Sequence, residues 1–340
     1  MRAAAKVAPA DLDACRAAIR AGSLSFHAAS RLLPADVRDP SLVLYAFCRL
    51  ADDAVDLSVA PTGAVLRLSD RLDAVYAGRP ANAPADRAFA AVVEATEMPR
   101  ALPEALLEGL AWDADGRRYD TLSDLLSYAA RVAASVGAMM CVLMGVRGAS
   151  TLARACDLGL AMQLTNVARD VGEDAGIGRL YLPRRWLAEA GLDPDAFLAR
   201  PEGSPALTSV VSRLLMEAER LYARSEAGIG SLPLGVRPGI WAARSIYAGI
   251  GREVLRGGCD PRLRARTTSA FKAARLGLAF ARTAAGGGSM LDVPPAPEAA
   301  FLVDAAARRN PWGEGRAGAL IGLLAQLEAR DREIRGQLRT

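Results

Sequence analysis

From about residue 10 to residue 283, apolar residues recur every three or four positions, and runs of alternating β-branched residues are scarce. A chain patterned this way carries one apolar stripe per helix and has to bury those stripes against one another. Alanine, leucine, arginine and glutamate dominate, which raises the summed helix propensity. The pattern predicts an all-α fold, with helices near 10–21, 40–57, 63–77, 85–97, 103–117, 121–146, 149–175, 207–229, 237–256, 260–283 and 314–338. Breaks are expected where proline and glycine cluster, at AGRPANAPAD (77–86), GLDPDAFLARPEGSPA (191–206) and GGGSMLDVPPAPEA (286–299). The last of these reads as a linker. One all-α domain over 1–285 is expected, then a linker and helical tail over 286–340.

Composition removes several kinds of chemistry. Five cysteines, odd in number and scattered without a CxxC pair, argue against a disulfide scaffold or a thiolate zinc site and fit a reducing cytoplasm. A single histidine, His27, leaves little room for histidine-ligated metals or Ser-His-Asp triads. Metal chemistry here has to run on carboxylates. Lys and Arg number 42 against 38 Asp and Glu, and only Lys6 and Lys272 are lysines. The arginine excess reads either as a GC-rich coding bias or as a supply of forked phosphate grips, and both fit. Because the arginines are spread out, no nucleic-acid partner is expected. The longest uncharged apolar run, Val132 to Val146, has 15 residues. A membrane span needs about 20, so none is expected. MRAAAKVAPADLDAC at the amino terminus lacks the apolar stretch of a secretory signal.

Two segments interrupt this apolar pattern in the same way. In SLVLYAFCRLADDAVDLS (41–58), Tyr45, Arg49, Asp52 and Asp56 are offset by 4, 7 and 11 residues. At about 100° per residue they share an arc of about 60°. In LGLAMQLTNVARDVGED (158–174), Gln163, Asn166, Asp170 and Asp174 are offset by 3, 7 and 11. Their arc is about 80°. Asp53 lies off the first stripe, and Glu173 flanks the second.

Like charges at i and i+4 destabilise a helix by about 0.2–0.5 kcal/mol, so the spacing costs stability unless something binds. Carboxylates so spaced suit a hard divalent cation, and magnesium commonly takes its remaining ligands from water and substrate phosphates. Two such helices facing one cleft would grip a diphosphate through metal ions, helped by Arg49 or Arg169. The plainer alternative is a pair of solvated helix faces, with Arg49 paired to Asp53 at i+4. The apolar stretch SYAARVAASVGAMMCVLMG (127–145) likewise reads as a channel wall or as helix core. Tyr128 and Tyr247 read as π faces for a cation or as core tyrosines.

These residues resemble the squalene/phytoene synthase family. Its two signatures are matched by YAFCRLADDAVD (45–56) and QLTNVARDVGEDAGIGRLYLP (163–183). Further similar pieces are GSLSFHAASRLLP (22–34), GRRYDTLSDLLSYAARVAASVGAMM (116–140) and RPGIWAARSIYAGIG (237–251). The likeness covers roughly residues 10–280 and is greatest to bacterial members of carotenoid pathways, while nothing beyond about 285 matches a signature.

The resemblance implies an isoprenoid synthase helical bundle around a central cavity. It implies a transferase that joins two geranylgeranyl diphosphates head to head, through a cyclopropyl diphosphate, to phytoene without NADPH. By the same likeness Asp52, Asp56, Asp170 and Asp174 are catalytic and bind metal, Asn166 joins them as a ligand, and Tyr128 is catalytic. Ser23, Ser25, Phe26, Tyr45, Arg49, Gln163, Asn166, Arg169 and Tyr247 are then substrate-binding. Magnesium or manganese is implied as cofactor, with ATP stimulating without hydrolysis. Peripheral membrane association from the cytoplasm and contact with other carotenoid-pathway enzymes are also implied.

The rival within the family is a squalene or dehydrosqualene synthase acting on farnesyl diphosphate. The absence of a GxGxxG between a strand and a helix weighs against an NADPH-using member. Chain-elongating prenyltransferases carry DDxxD motifs, which DVGED does not match. A non-catalytic helical assembly factor is the rival of a different class, and the four intact aspartates argue against it.

Overall fold

The computed structural model describes residues 5–22, 29–56, 58, 61–283 and 290–308, and among these there is no strand. The helices are α1 (Pro9–Gly22), α2 (Ala35–Asp56), α3 (Pro61–Tyr76), α4 (Pro84–Thr96), α5 (Ala101–Ala114) and α6 (Leu122–Ala129). A π turn (Ala130–Ala134) joins α6 to α7 (Ser135–Leu143), and α8 (Ala149–Gly176) follows. Then come α9 (Arg184–Glu189), α10 (Pro194–Ala199), α11 (Pro205–Ile229), α12 (Arg237–Arg256), α13 (Ser269–Arg282) and, after a 3-10 turn (Pro297–Ala299), α14 (Ala300–Ala307).

The contacts divide the chain into two units, Met1–Arg117 with Ala138–Arg147 and Asp304–Thr340, and Arg118–Gly137 with Gly148–Val303. Residues 290–303 group with the second unit. In the first unit α2 packs against α1, α3, α4 and α5. Its Phe47 stacks on Phe89 of α4, ring centroids 4.1 Å apart. Buried Asp86 takes a two-pronged grip from Arg71 at 2.9 Å on each oxygen. Arg147 donates to the carbonyls of Thr96, Glu97, Ala306 and Arg308, tying the end of α4 to the end of α14.

The second unit is organised by α8, which lies along α11 and beneath the π turn. Glycine permits the approach. A Cβ on Gly159 would sit 2.6 Å from Ala134 Cα and 2.7 Å from Ala133 O, and one on Gly228 of α11 would sit 2.3 Å from Arg154 Cβ. Arg154 and Asp157 of α8 have fully buried side chains 2.8 Å apart. Arg224 of α11 reaches the same carboxylate at 3.1 Å. Arg154 also donates to the carbonyls of Met290, Leu291 and Pro294, so a buried cluster anchors the 290–294 segment.

Several expected elements change at their ends. The helix expected from 40 starts at Ala35 and accommodates Pro40 in its interior. The helix expected over 260–283 starts at Ser269, where the Thr268 side chain caps Phe271 N. Before it, Gly258 and Cys259 adopt positive φ (67° and 55°) and end α12. The short α9, α10 and α14 had no periodicity long enough to announce them, and 314–338 lies outside the described residues. The exclusion of a spanning helix also needs correction. Leu122–Leu143, continuous through the π turn, is long and apolar enough to cross a bilayer, though 67% of its most apolar window is buried inside the fold. Arg131 within it donates from Nη1 to Ser127 O at 2.9 Å and lies over the Phe301 ring. The small residues of this stretch serve helix contact, with Gly137 facing Ala155 O where a Cβ would come within 2.7 Å.

Gly159→Ala is therefore expected to destabilise the fold by about 1–3 kcal/mol, because the backbone it would strike cannot move aside. Gly277→Ala, with nothing within 4 Å of the new methyl, should instead stabilise by roughly 0.5–1 kcal/mol. Urea unfolding of the two variants reads both signs.

Candidate functional site

Helix α2 carries Tyr45, Arg49, Asp52 and Asp56 on a helix whose other positions, from Leu42 to Val55, are largely core. Tyr45 is half-buried, and Arg49 and Asp52 are about equally exposed, at 44% and 46%. Arg49 turns mainly to Asp53, donating from Nε at 3.0 Å and from Nη2 at 2.6 Å, while Asp52 is 3.6 Å from Nη1. The i+4 pair weighed above as the plainer alternative thus exists. At this exposure such a pair contributes little, about 0–1 kcal/mol, so it yields readily to a stronger anion.

On α8 the second stripe is more enclosed. Gln163, Asn166, Asp170 and Asp174 are all half-buried, between the core positions Leu164, Val167, Val171 and Ala175. Asn166 donates to Gln163 Oε1 at 3.4 Å, and its own Oδ1 is buried without a hydrogen-bond partner. A buried acceptor left this way is uncommon and asks for an explanation. Asp170 is gripped through both oxygens by Arg169, with Nε at 2.7 Å from Oδ1. Arg264, from the loop between α12 and α13, reaches the same Oδ1 at 3.2 Å and Glu173 at 3.1 Å. Burial works against the Arg169 charge, but Asp170 outweighs it and holds the guanidinium above its ordinary value. Tyr247 of α12 is near enough to contribute to that balance.

Arg264 is the residue the sequence reading missed. Its only signal was RLRAR (262–266), a basic alternation with no carboxylate beside it. Tyr128 proves to be part of a buried cluster, its ring 5.3 Å from Tyr119 and 5.1 Å from Tyr181. Ser23, Ser25, Phe26 and His27 lie outside the described residues.

The donors on both helices are hard oxygens, the type magnesium and manganese prefer. Among the described residues no three His, Cys, Asp or Glu side chains form a self-sufficient metal cage. Two carboxylates at i, i+4 with an unpartnered amide oxygen one turn before them fit a cation that completes its shell from phosphates and water. Burial pushes the Cys141 thiol up to about 12, and burial with the neighbouring Asp11 charge pushes Cys15 up to about 11.

The family profile described as squalene/phytoene synthase matches residues 19–271. A phytoene synthase of Cereibacter sphaeroides is 62% identical, covering 97% of each chain. One of Rhodobacter capsulatus is 58% identical, covering 96% of this chain and 99% of that one. Among solved structures, a dehydrosqualene synthase in complex with ligand superposes with a TM-score of 0.74 at 29% identity, covering 80% of this chain and 96% of that one.

The thiol shifts carry a sign that can be checked. Both groups ionise later in the fold than their ordinary value of 9.0, so the unfolded chain loses its thiol protons first. Their contribution to stability should be complete below pH 9 and fall as pH rises from 9 toward 11 and 12. The urea midpoint followed over that range should decline less in Cys141→Ala than in the parent. At pH 8 alkylation of the native chain should be much slower than that of the unfolded one.

Proposed function

The chain belongs to the squalene/phytoene synthase family and is a prenyltransferase, and we propose that it joins two geranylgeranyl diphosphates head to head to give phytoene. Membership brings dependence on a divalent metal, and magnesium or manganese is the form the oxygen donors favour. The observation that carries the reading is the pair of aspartate stripes. Each interrupts a buried helix at i, i+4 with arginine against it, within a sequence 62% identical to a phytoene synthase over 97% of both chains.

Asp52 and Asp56 on α2 would hold divalent metal, and so would Asp170 and Asp174 with Asn166 Oδ1 on α8. When bound, it neutralises the departing diphosphate and lowers the cost of ionising the allylic carbon–oxygen bond. Arg49 and Arg169 present planar forks that match phosphate oxygens, and each trades an aspartate partner for the substrate. Tyr45 on the α2 stripe, Gln163 on the α8 stripe and Tyr247 of α12, which is near Arg169, would orient the diphosphates. The apolar helix positions around the stripes keep water from the allylic cation, which water would quench. Tyr128, backed by Tyr119 and Tyr181, supplies an electron-rich wall to that cation. The final proton passes to the released diphosphate.

A forty-carbon hydrocarbon is insoluble in water, so the product leaves into lipid, and we place the enzyme on the cytoplasmic face of a membrane.

The purified chain with geranylgeranyl diphosphate and magnesium is expected to form phytoene in equal yield with and without NADPH, and none with a chelator. Turnover of farnesyl diphosphate alone, or a product that requires NADPH, would transfer the assignment to squalene-type chemistry. Asp52→Asn and Asp170→Asn should each lower kcat by about 10²–10³-fold, with circular dichroism unchanged. Asp53→Asn should be milder, since it removes only the surface partner of Arg49.

A further inference from the structure

Helix α13 (Ser269–Arg282) inverts the usual order of a surface helix. Its inward side meets α12, where Phe271 fills the space over Gly249 and Arg282 lies over the Trp241 ring at 5.1 Å. Arg275 turns back over Phe271 at 4.9 Å. Apart from Ser269 and Arg282 at its two ends and Leu278 on the flank, the exposed positions are Ala270, Ala273, Ala274, Gly277, Phe280 and Ala281. At about 100° per residue these six share an arc of about 120°, and none of them carries a polar side chain. A helix facing water ordinarily shows its charged side there. Phe280 is 58% exposed, Leu278 on the flank 40%, and Leu263 in the preceding loop 60%.

Charge accompanies this apolar arc. Between Asp260 and Asp292 the chain holds six cations, Arg262, Arg264, Arg266, Lys272, Arg275 and Arg282, and no carboxylate. Neighbouring Arg252 of α12 belongs to the same field: burial first, then the Arg275 charge, holds its guanidinium below its ordinary value. Arg262 pairs with Asp260, Arg264 with Asp170 and Glu173, and Arg282 lies 3.7 Å from Glu226. An apolar face bordered by a local excess of cations, here Arg266, Lys272 and Arg275 beyond those three, is the composition of a helix that lies in a lipid headgroup layer. The apolar side enters the acyl boundary, and the cations meet lipid phosphates.

We propose that α13, with the basic segment before it, is the face by which this chain rests on an anionic phospholipid surface. The inference gives a location to the membrane contact proposed above. The same segment sends Arg264 to Asp170, so the lipid-facing helix begins five residues past a contact of the catalytic stripe. Hydrocarbon released there has a short path to the bilayer.

The test is flotation of the full chain with vesicles of phosphatidylcholine alone or mixed with phosphatidylglycerol, at low and high salt. The parent should float with the anionic vesicles only, and less at high salt. Phe280→Asp should lower the bound fraction about ten-fold or more, and Lys272→Glu roughly five-fold. Both variants should keep the parent's circular dichroism. Their phytoene yield in detergent should also match the parent, which reads the proposed reaction separately from the surface. Equal flotation of parent and Phe280→Asp would overturn the proposal, as would salt-independent binding to neutral vesicles. So would a change in oligomeric state, rather than in flotation, when Phe280 is replaced, since that would assign the face to a second copy. Flotation as expected without phytoene in detergent would overturn the reaction and uphold the surface.

Discussion

The second unit depends on how closely its other helices can approach α8, and glycine sets that distance. At Gly159 and Gly228 a single added methyl would enter the backbone of the π turn or the stem of Arg154. Closely packed helices leave little freedom for axial rotation, and rotation by one residue would turn the aspartate stripe through about 100°. The buried Arg154–Asp157–Arg224 cluster adds a polar constraint at the other end of α8. Breaking one partner of such a cluster typically costs about 3–5 kcal/mol, although an apolar replacement of the whole can be neutral. Its contribution therefore lies in specifying one register for α8 against α11 and the 290–294 segment.

In both stripes arginines engage the acidic side chains. Arg49 leans on Asp53, Arg169 on Asp170, and Arg264 divides itself between Asp170 and Glu173. The exposed Arg49–Asp53 pair contributes little stability, while the Arg169–Asp170 pair is more enclosed and two-pronged. Under the proposed reaction, a diphosphate arriving with a divalent ion would take over these guanidinium forks. Rigidity in the helix axes is what electrostatic preorganisation requires.

The loop from Asp260 to Thr268 links two parts of the molecule that the helix pattern treats separately. Its tight start, with positive φ at Gly258 and Cys259, turns the chain out of α12. Pro261 then packs against Gly172 on α8, where a Cβ would overlap Pro261 O at 1.8 Å. That contact brings Arg264 to the carboxylates of α8. Glycine one turn before Gly176 and two residues after Asp170 thus has a steric reason.

Much of this was legible without coordinates. Helix periodicity is a property of neighbours along the chain, so the long helices α1 to α8 and α11 to α13 could be read from spacing, as could the phase of Asp52 with Asp56 and of Asp170 with Asp174. The signatures around those aspartates carried the family. Tertiary structure decided what depends on contacts distant in sequence. Helices of six residues such as α9 and α10 are below the length at which local propensity outweighs the cost of nucleation. The start of α13 was set by a cap at Thr268, not by a change in apolar spacing. Leu122–Leu143 has a span-like composition and is nonetheless largely buried, because its Gly137 and alanines let α8 approach. Arg264 was invisible as a partner of Asp170, being 94 residues away along the chain. Periodicity tells which side of a helix is apolar, but only packing decides whether that side meets protein, as on α8, or is left facing outward, as on α13.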